Sequence, residues 1–313
     1  MQKSTYAEIA KKLNFDPSPS KLRVHLLLDG GLLLIIFFTY HSVFYPISQL
    51  IIPILMFRAF ALMHECVHNS ACRVRWISDV VGIVAGAICL LPYEPWKKIH
   101  LAHHKWTGNV DKDPSMGLIK HFPHFSRTRI AILNLLWKFH LPGLAVSQHF
   151  IFWAKSYTFI LAGNRKDEKL KNALSVIVPL TLYAFIPWAS MIPALAIYLA
   201  MVEIINFPHH LQMPMLQDNE SFPVYDQHKT ARSCIYPRWF ARHVLNNFNL
   251  HIEHHLFPRL PWYRLNAAQG FVSSLELSDY TAIEGNRWIK ANRSKPLNEV
   301  LGTNFTNELE KAA

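Results

Sequence analysis

Three short runs of this chain concentrate imidazoles: His64-Glu65-Cys66-Val67-His68, His100-Leu101-Ala102-His103-His104 and His251-Ile252-Glu253-His254-His255. Residues three and four apart share one face of a helix. The first histidine of each HxxHH run is therefore expected to converge on a common point with both later ones. Neutral imidazole is a good ligand for iron, zinc and copper. Eight convergent nitrogens exceed the needs of one ion, so the count points to two metals. Eighteen histidines in 313 residues are more than packing alone would place in a chain of this length.

A fourth element, Asn206-Phe207-Pro208-His209-His210, sets Asn206 and His210 on one helix face. His210 is a candidate ninth nitrogen ligand, and Asn206 a candidate for positioning a water at the other metal. Glu65 makes box one read as HExxH, in which a zinc protease uses the Glu as general base. That reading leaves two HxxHH runs unexplained, so Glu65 is expected to orient a ligand histidine instead. Asp113, and Asp111 beside it, are candidates for the same role, with a solvated loop as the alternative. Glu253 either supports a ligand or faces solvent. His25, His41, His121, His124, His140, His149, His228 and His243 are expected at surfaces and caps, and His209 is more readily a packed residue than a ligand. The four cysteines are expected to be free and packed. Lys97 and Lys98, just before box two, suit either an anionic partner or a solvated face.

These residues need elements to hold them, and the composition says where those elements lie. The chain is 51% hydrophobic and only 17% charged, which excludes intrinsic disorder and makes an ordinary soluble domain a poor description. The net charge is +11, yet no Lys or Arg occurs between Arg23 and Arg58 or between Lys171 and Lys229. Blocks of positive charge around apolar tracts form a membrane pattern rather than a nucleic-acid stripe. A span needs about 20 residues. Residues 24–63 and 172–208 are thus each expected to form a transmembrane hairpin, turning at 41–46 and at 187–193. Asp29 and Arg58 fall inside the first hairpin, where an ion pair between them is expected.

Residues 64–171, with boxes one and two, and 209–313, with box three, then become the cytoplasmic and interfacial segments of one domain. The positive-inside rule puts both termini and all three boxes on that side. Ile77 to Pro92 is too short to span and is expected to be interfacial or re-entrant. Had it crossed, boxes one and two would be separated by the bilayer. Leu144 to Leu161 is read the same way. No small-residue cleavage site follows the first apolar run, so no cleavable leader is expected. The tail after Tyr280 is polar, a candidate for helix, and otherwise uninformative.

HECVH, HLAHHKWTG and HIEHHLFPRLPWYRL resemble, in order, spacing and flanks, the three boxes of the membrane fatty acid desaturase family, over roughly residues 25–265. Asn206 and His210 resemble that family's additional ligand pair. The resemblance implies an all-α integral membrane protein with four transmembrane helices in two hairpins and a cytoplasmic helical cap. It implies two iron ions held by His64, His68, His100, His103, His104, His210, His251, His254 and His255, and O2-dependent removal of two hydrogens from an acyl-lipid, acyl-CoA or acyl-carrier substrate. No HPGG haem-binding motif of a fused cytochrome b5 is present, so a separate acidic electron donor, a ferredoxin or cytochrome b5 type, is expected. The bacterial inner membrane is favoured as the location, or the ER membrane in a eukaryote. Carotenoid ketolases and hydroxylases and lipid hydroxylases share the scaffold and stand as the alternative. A remote one is an intramembrane zinc protease, whose LDG motif follows its HExxH, whereas Leu28-Asp29-Gly30 precedes it here.

Overall fold

A computed structural model describes residues 1–160, 163–217 and 219–302. Leu161 and the tail from 303 to 313 lie outside the described residues. The chain is mostly helical: α1 (Lys3–Lys12), α2 (Pro19–Tyr40), α3 (Tyr45–Val67), α4 (Arg75–Ile88), α5 (Tyr93–Trp106), α6 (Gly117–His121), α7 (Arg127–Lys138), α8 (Gly143–Phe159), α9 (Lys166–Tyr183), α10 (Trp188–His210), α11 (Arg238–His243), α12 (His251–Leu256), α13 (Leu265–Ser273), α14 (Gly285–Arg293) and α15 (Leu297–Gly302). Two three-residue strands, β1 (Ser233–Ile235) and β2 (Ala282–Glu284), pair in parallel with Ser233 opposite Ala282. They are a small departure from an all-helical expectation.

Helix α3 is the axis of the molecule, packed against α2, α4 and α10. Its apolar window is 83% buried, against 17% for α2 and 28% for α10. The sequences are equally apolar, so position alone separates a core helix from two helices that turn side chains such as Leu27, Phe37 and Phe38 outward. Apolar surface on this scale has no use in water. Among the described residues three single helices, α2, α3 and α10, are long and apolar enough to cross a membrane. Helix α9 has five charged residues in its first six and falls short of that measure.

The first turn, at 41–44, lies where the tract predicts it, and Pro46 starts α3, where its missing N–H costs nothing. The second turn differs. It occupies 184–187, and Pro193 sits inside α10. Helix α9 begins at Lys166, six residues before the apolar tract.

Arg58 in α3 pairs with Asp29 in α2 and donates to the His243 carbonyl. His25 joins them, with Nε2 2.9 Å from Asp29 Oδ2. It is buried, not superficial.

The stretch from 77 to 92 forms α4 and then folds back. Helix α5 leaves α4 at 101°. The close approach is steric: a Cβ on Gly82 would stand 2.4 Å from the Tyr93 ring, and one on Gly86 2.6 Å from the Leu91 carbonyl. The bend returns box two to the end of α3 that carries box one. Helices α7 and α8 make a second sharp bend, of 119°. The tail proves informative. Arg293 in α14 reaches Glu203 in α10 at 3.0 Å, and Glu203 accepts from the backbone N–H of Leu144 and Ala145, capping the start of α8.

Candidate metal centre

Box one closes α3, box two closes α5, and box three forms α12. Together with His210 at the end of α10 they bring nine histidines into one place. The nine divide into two groups. His64, His68, His100, His104 and His254 each turn a ring nitrogen to within 4.8 Å of the others, and His103, His210, His251 and His255 do the same. Neither group includes a carboxylate or a thiolate.

The division is not the one the spacing predicts. His100 shares its group with His104, four residues on, while His103 goes to the other. His251 shares with His255, while His254 crosses over. Adjacent helical residues project about 100° apart, so each His-His pair must serve two points, and only the i,i+4 partner stays with the first histidine.

The nitrogens are spaced as donors to shared cations. His68 and His100 Nε2 are 2.9 Å apart, His100 and His104 3.0 Å, and His104 and His254 2.9 Å. In the second group His210 and His251 Nε2 are 2.8 Å apart, His251 and His255 3.1 Å, and His103 and His255 3.3 Å. Two nitrogens bound at right angles, each about 2.1 Å from one ion, would stand about 3.0 Å apart.

A neutral imidazole has a single N–H, so one nitrogen cannot be hydrogen-bonded to two such neighbours in every case. Burial pushes His100, His104, His251, His254 and His255 well below the ordinary imidazole range. The rings are therefore neutral, as ligands must be. His64 Nε2 and the Nδ1 atoms of His104, His251 and His254 are buried with no partner at all. The donor set fits two transition-metal ions.

Outer contacts set the tautomers in the second group. His103 Nδ1 lies 2.9 Å from both Asp113 oxygens, His210 Nδ1 3.0 Å from the Thr230 carbonyl, and His255 Nδ1 3.1 Å from Gln227 Oε1. Each acceptor keeps the proton on Nδ1 and turns the Nε2 lone pair inward. Burial raises the Asp113 carboxyl, but His103 and the Ser115 hydroxyl hold it below its ordinary range. The first group is fixed by rings instead. Trp96 stacks on His100 at 4.7 Å, and Phe248 meets His64 edge-on at 5.1 Å.

The other expected residues fare unequally. Glu65 is 3.7 Å from His64 Nδ1, beyond a hydrogen bond. Its Oε2 accepts from Ser70 Oγ at 2.7 Å and from the Trp262 backbone N–H at 3.0 Å. It fastens the end of α3 to the segment after box three. Asn206 donates back to the Val202 carbonyl in its own helix at 2.9 Å. Asp111 is 58% exposed and pairs with Lys120. Glu253 is buried, not solvent-facing, and accepts from Ser233 and Tyr280. Lys97 is committed to Asp79 at 2.9 Å and to Glu94.

Sequence reasoning missed Gln227, which also donates to the His104 carbonyl at 2.6 Å. A lone Gln in a loop gives no signal. His209 is packed, as expected: it lies outside both groups, and its ring stacks on His251 at 4.2 Å with both nitrogens buried and unpartnered. His228 is likewise buried.

The model of the family described as fatty acid desaturase matches residues 40–276, a stretch that holds all three boxes and the Asn206–His210 element. The chain belongs to the fatty acid desaturase family. Among its relatives in that family, an sn-1 oleoyl-lipid 12-desaturase of Anabaena variabilis is 25% identical over 228 residues, 67% of this chain and 63% of that protein. An sn-1 acyl-lipid omega-3 desaturase (ferredoxin) of Synechocystis is 23% identical over 277 residues, 81% of this chain and 75% of the other. A chloroplastic omega-6 fatty acid desaturase of Arabidopsis thaliana is 27% identical over 222 residues, 67% of this chain but 49% of its own. The chain thus spans less than two thirds of the length of several of the curated relatives it matches.

Proposed function

We infer that the protein is an O2-dependent fatty acyl desaturase that holds two iron ions, one in each histidine group. The carrying observation is the division of nine imidazoles, seven buried and two partly buried, into two adjacent donor sets with no carboxylate or thiolate among them. Family membership supports iron, and the relatives' names supply the substrate class, an acyl chain carried on a lipid. Side chains cannot break an unactivated C–H bond; two irons, given electrons and O2, supply that chemistry. The chain's own residues do the rest. Asp113, Thr230 and Gln227 orient ligand rings, while Trp96 and Phe248 seal the first group from water.

The reading places four membrane helices in two hairpins, with residues 64–171 and 209–313 on the cytoplasmic side. The fold-back of α4 into α5 supports this, because it lets box two meet box one without crossing. Electrons come from a separate acidic protein steered by the basic segments. The word ferredoxin in two relatives' names is in keeping with that.

The test is expression in a host without unsaturated fatty acids of its own, read by fatty-acid profile with and without O2. A new, O2-dependent double bond is expected, together with about two irons per purified chain. Hydroxylated product would move the reading to the scaffold's other chemistry. One tightly held zinc and no iron after anaerobic reconstitution would overturn it. Turnover with the donor should fall as salt rises, through slower association.

A further inference from the structure

A cavity of about 540 Å³ opens where the start of α2 meets α11 and the segment after box three. Its volume is in the range that holds a small ligand. Lys21, Arg58, Arg238 and Arg242 line it, and no Asp or Glu does. Arg58 is already neutralised by Asp29 behind the wall. Lys21, Arg238 and Arg242 are exposed and have no carboxylate partner among the described residues. Three unpaired cations in one concave wall favour a phosphate, which the arginine fork can hold by paired, charge-assisted hydrogen bonds. Asn249, also in the wall, has a buried Oδ1 with no partner, an acceptor suited to a ligand hydroxyl.

The rim tells which phosphate. Val24, Leu28 and Ile235 line the cavity and are each more than half exposed, and Trp239 beside Arg238 is 66% exposed. A basic pocket with an apolar, aromatic rim suits a membrane surface, not a water-borne nucleotide. Asn246 borders both this cavity and a small void of about 10 Å³ that touches His64 and His254. The cavity therefore backs onto the first histidine group.

We propose that this cavity receives the anionic, hydroxyl-bearing headgroup of the acyl-lipid substrate, with the phosphate on Arg238, Arg242 and Lys21. The proposal rests on the desaturase reading for the word substrate, and its test is chosen to stand apart from turnover. The iron-loaded full chain in detergent is offered equal amounts of phosphatidylglycerol and phosphatidylcholine with identical acyl chains. Native mass spectrometry reads which lipid is retained.

Wild type should favour phosphatidylglycerol by about tenfold: both lipids offer the phosphate, but phosphatidylcholine brings a quaternary ammonium among the wall's cations and has no hydroxyl for Asn249. Arg238→Gln with Arg242→Gln should bring the ratio near one. Arg238→Lys with Arg242→Lys should keep most of it. Arg165→Gln with Lys166→Gln removes the same charge outside the cavity and should leave the ratio unchanged. Equal retention by wild type, or full selectivity in the double glutamine variant, would overturn the proposal. Displacement of the bound phosphatidylglycerol by an equal amount of acyl-CoA would overturn the choice of a lipid. Selectivity without any double-bond formation would remove the desaturase reading and leave a lipid site. Double-bond formation without selectivity would remove this inference alone.

Discussion

The two histidine groups sit side by side and are built on opposite plans. The five-residue group has spare donors and few outer partners: the Nδ1 atoms of His104 and His254 are buried with nothing to bond. Rings of Trp96 and Phe248 hold it. The four-residue group has no donor to spare, but three of its four rings are held from behind by Asp113, Thr230 and Gln227. One centre relies on numbers and packing, the other on orientation. They should fail differently.

The largest effect is expected from ligand loss. His104→Ala leaves four donors in the first group, and His251→Ala leaves three in the second. Both should abolish desaturation. By metal analysis, His251→Ala should lose its iron more completely than His104→Ala. Equal iron content in the two variants would erase the distinction between the groups, and near-normal turnover in both would remove the assignment itself.

Asp113→Asn comes next. It keeps the shape but removes the charge that pairs with His103, and changes of this kind cost roughly 10–100-fold in metal affinity or activity. Gln227→Ala should cost less, because its acceptor is neutral. Among the described residues no comparable single contact serves the first group, where Trp96→Leu should lower activity through water entry with smaller iron loss. If Asp113→Asn retains iron as well as Trp96→Leu does, the second group does not depend on orientation.

A third test uses protons. Burial holds six of the box imidazoles well below their ordinary range. An unfolded chain takes up protons near pH 6.5, while the folded metal-free site does not. Stability is thus fully present above about pH 6.5 and declines as pH falls below it. Thermal melting of the metal-free protein should drop between pH 7 and pH 5; a flat profile would count against a dry, neutral site.

Smaller effects close the series. Glu65→Asp should keep a substantial fraction of activity and Glu65→Ala should lose much of it, with the loss appearing in thermal stability as well, since this carboxylate bonds Ser70 and Trp262. Complete loss in Glu65→Asp, matching His64→Ala, would return Glu65 to a chemical role. His121→Ala, at an exposed position, should leave turnover unchanged.

Most of this arrangement is legible in the chain because its signals are local. Helical spacing marks the candidate ligands, and apolar tracts almost free of Lys and Arg mark α2, α3 and α10. What stayed hidden depends on tertiary neighbours. Glu65 looks like a ligand's partner by adjacency, yet its bonds go to residues 70 and 262. Gln227 is unmarked, and only folding sets it between His104 and His255. The polar tail hides Arg293 because its partner, Glu203, lies 90 residues away. His25 reads as an isolated surface residue until α3 brings Arg58 against it.

The crossed allegiance of the two His-His pairs has a mechanical meaning. His103 and His104 are joined by one peptide bond, as are His254 and His255, and in each pair one member faces each centre. The gap between the centres is thereby gauged by backbone geometry, twice over, and not by how tightly neighbouring helices settle. Thermal breathing of the surrounding helices would carry both centres along together. A one-residue slip in either helix would carry one histidine of the pair to the other centre and leave Ala102 or Lys105, or Glu253 or Leu256, in the vacated place, so the spacing of the pair is insulated from gradual drift and exposed only to abrupt failure.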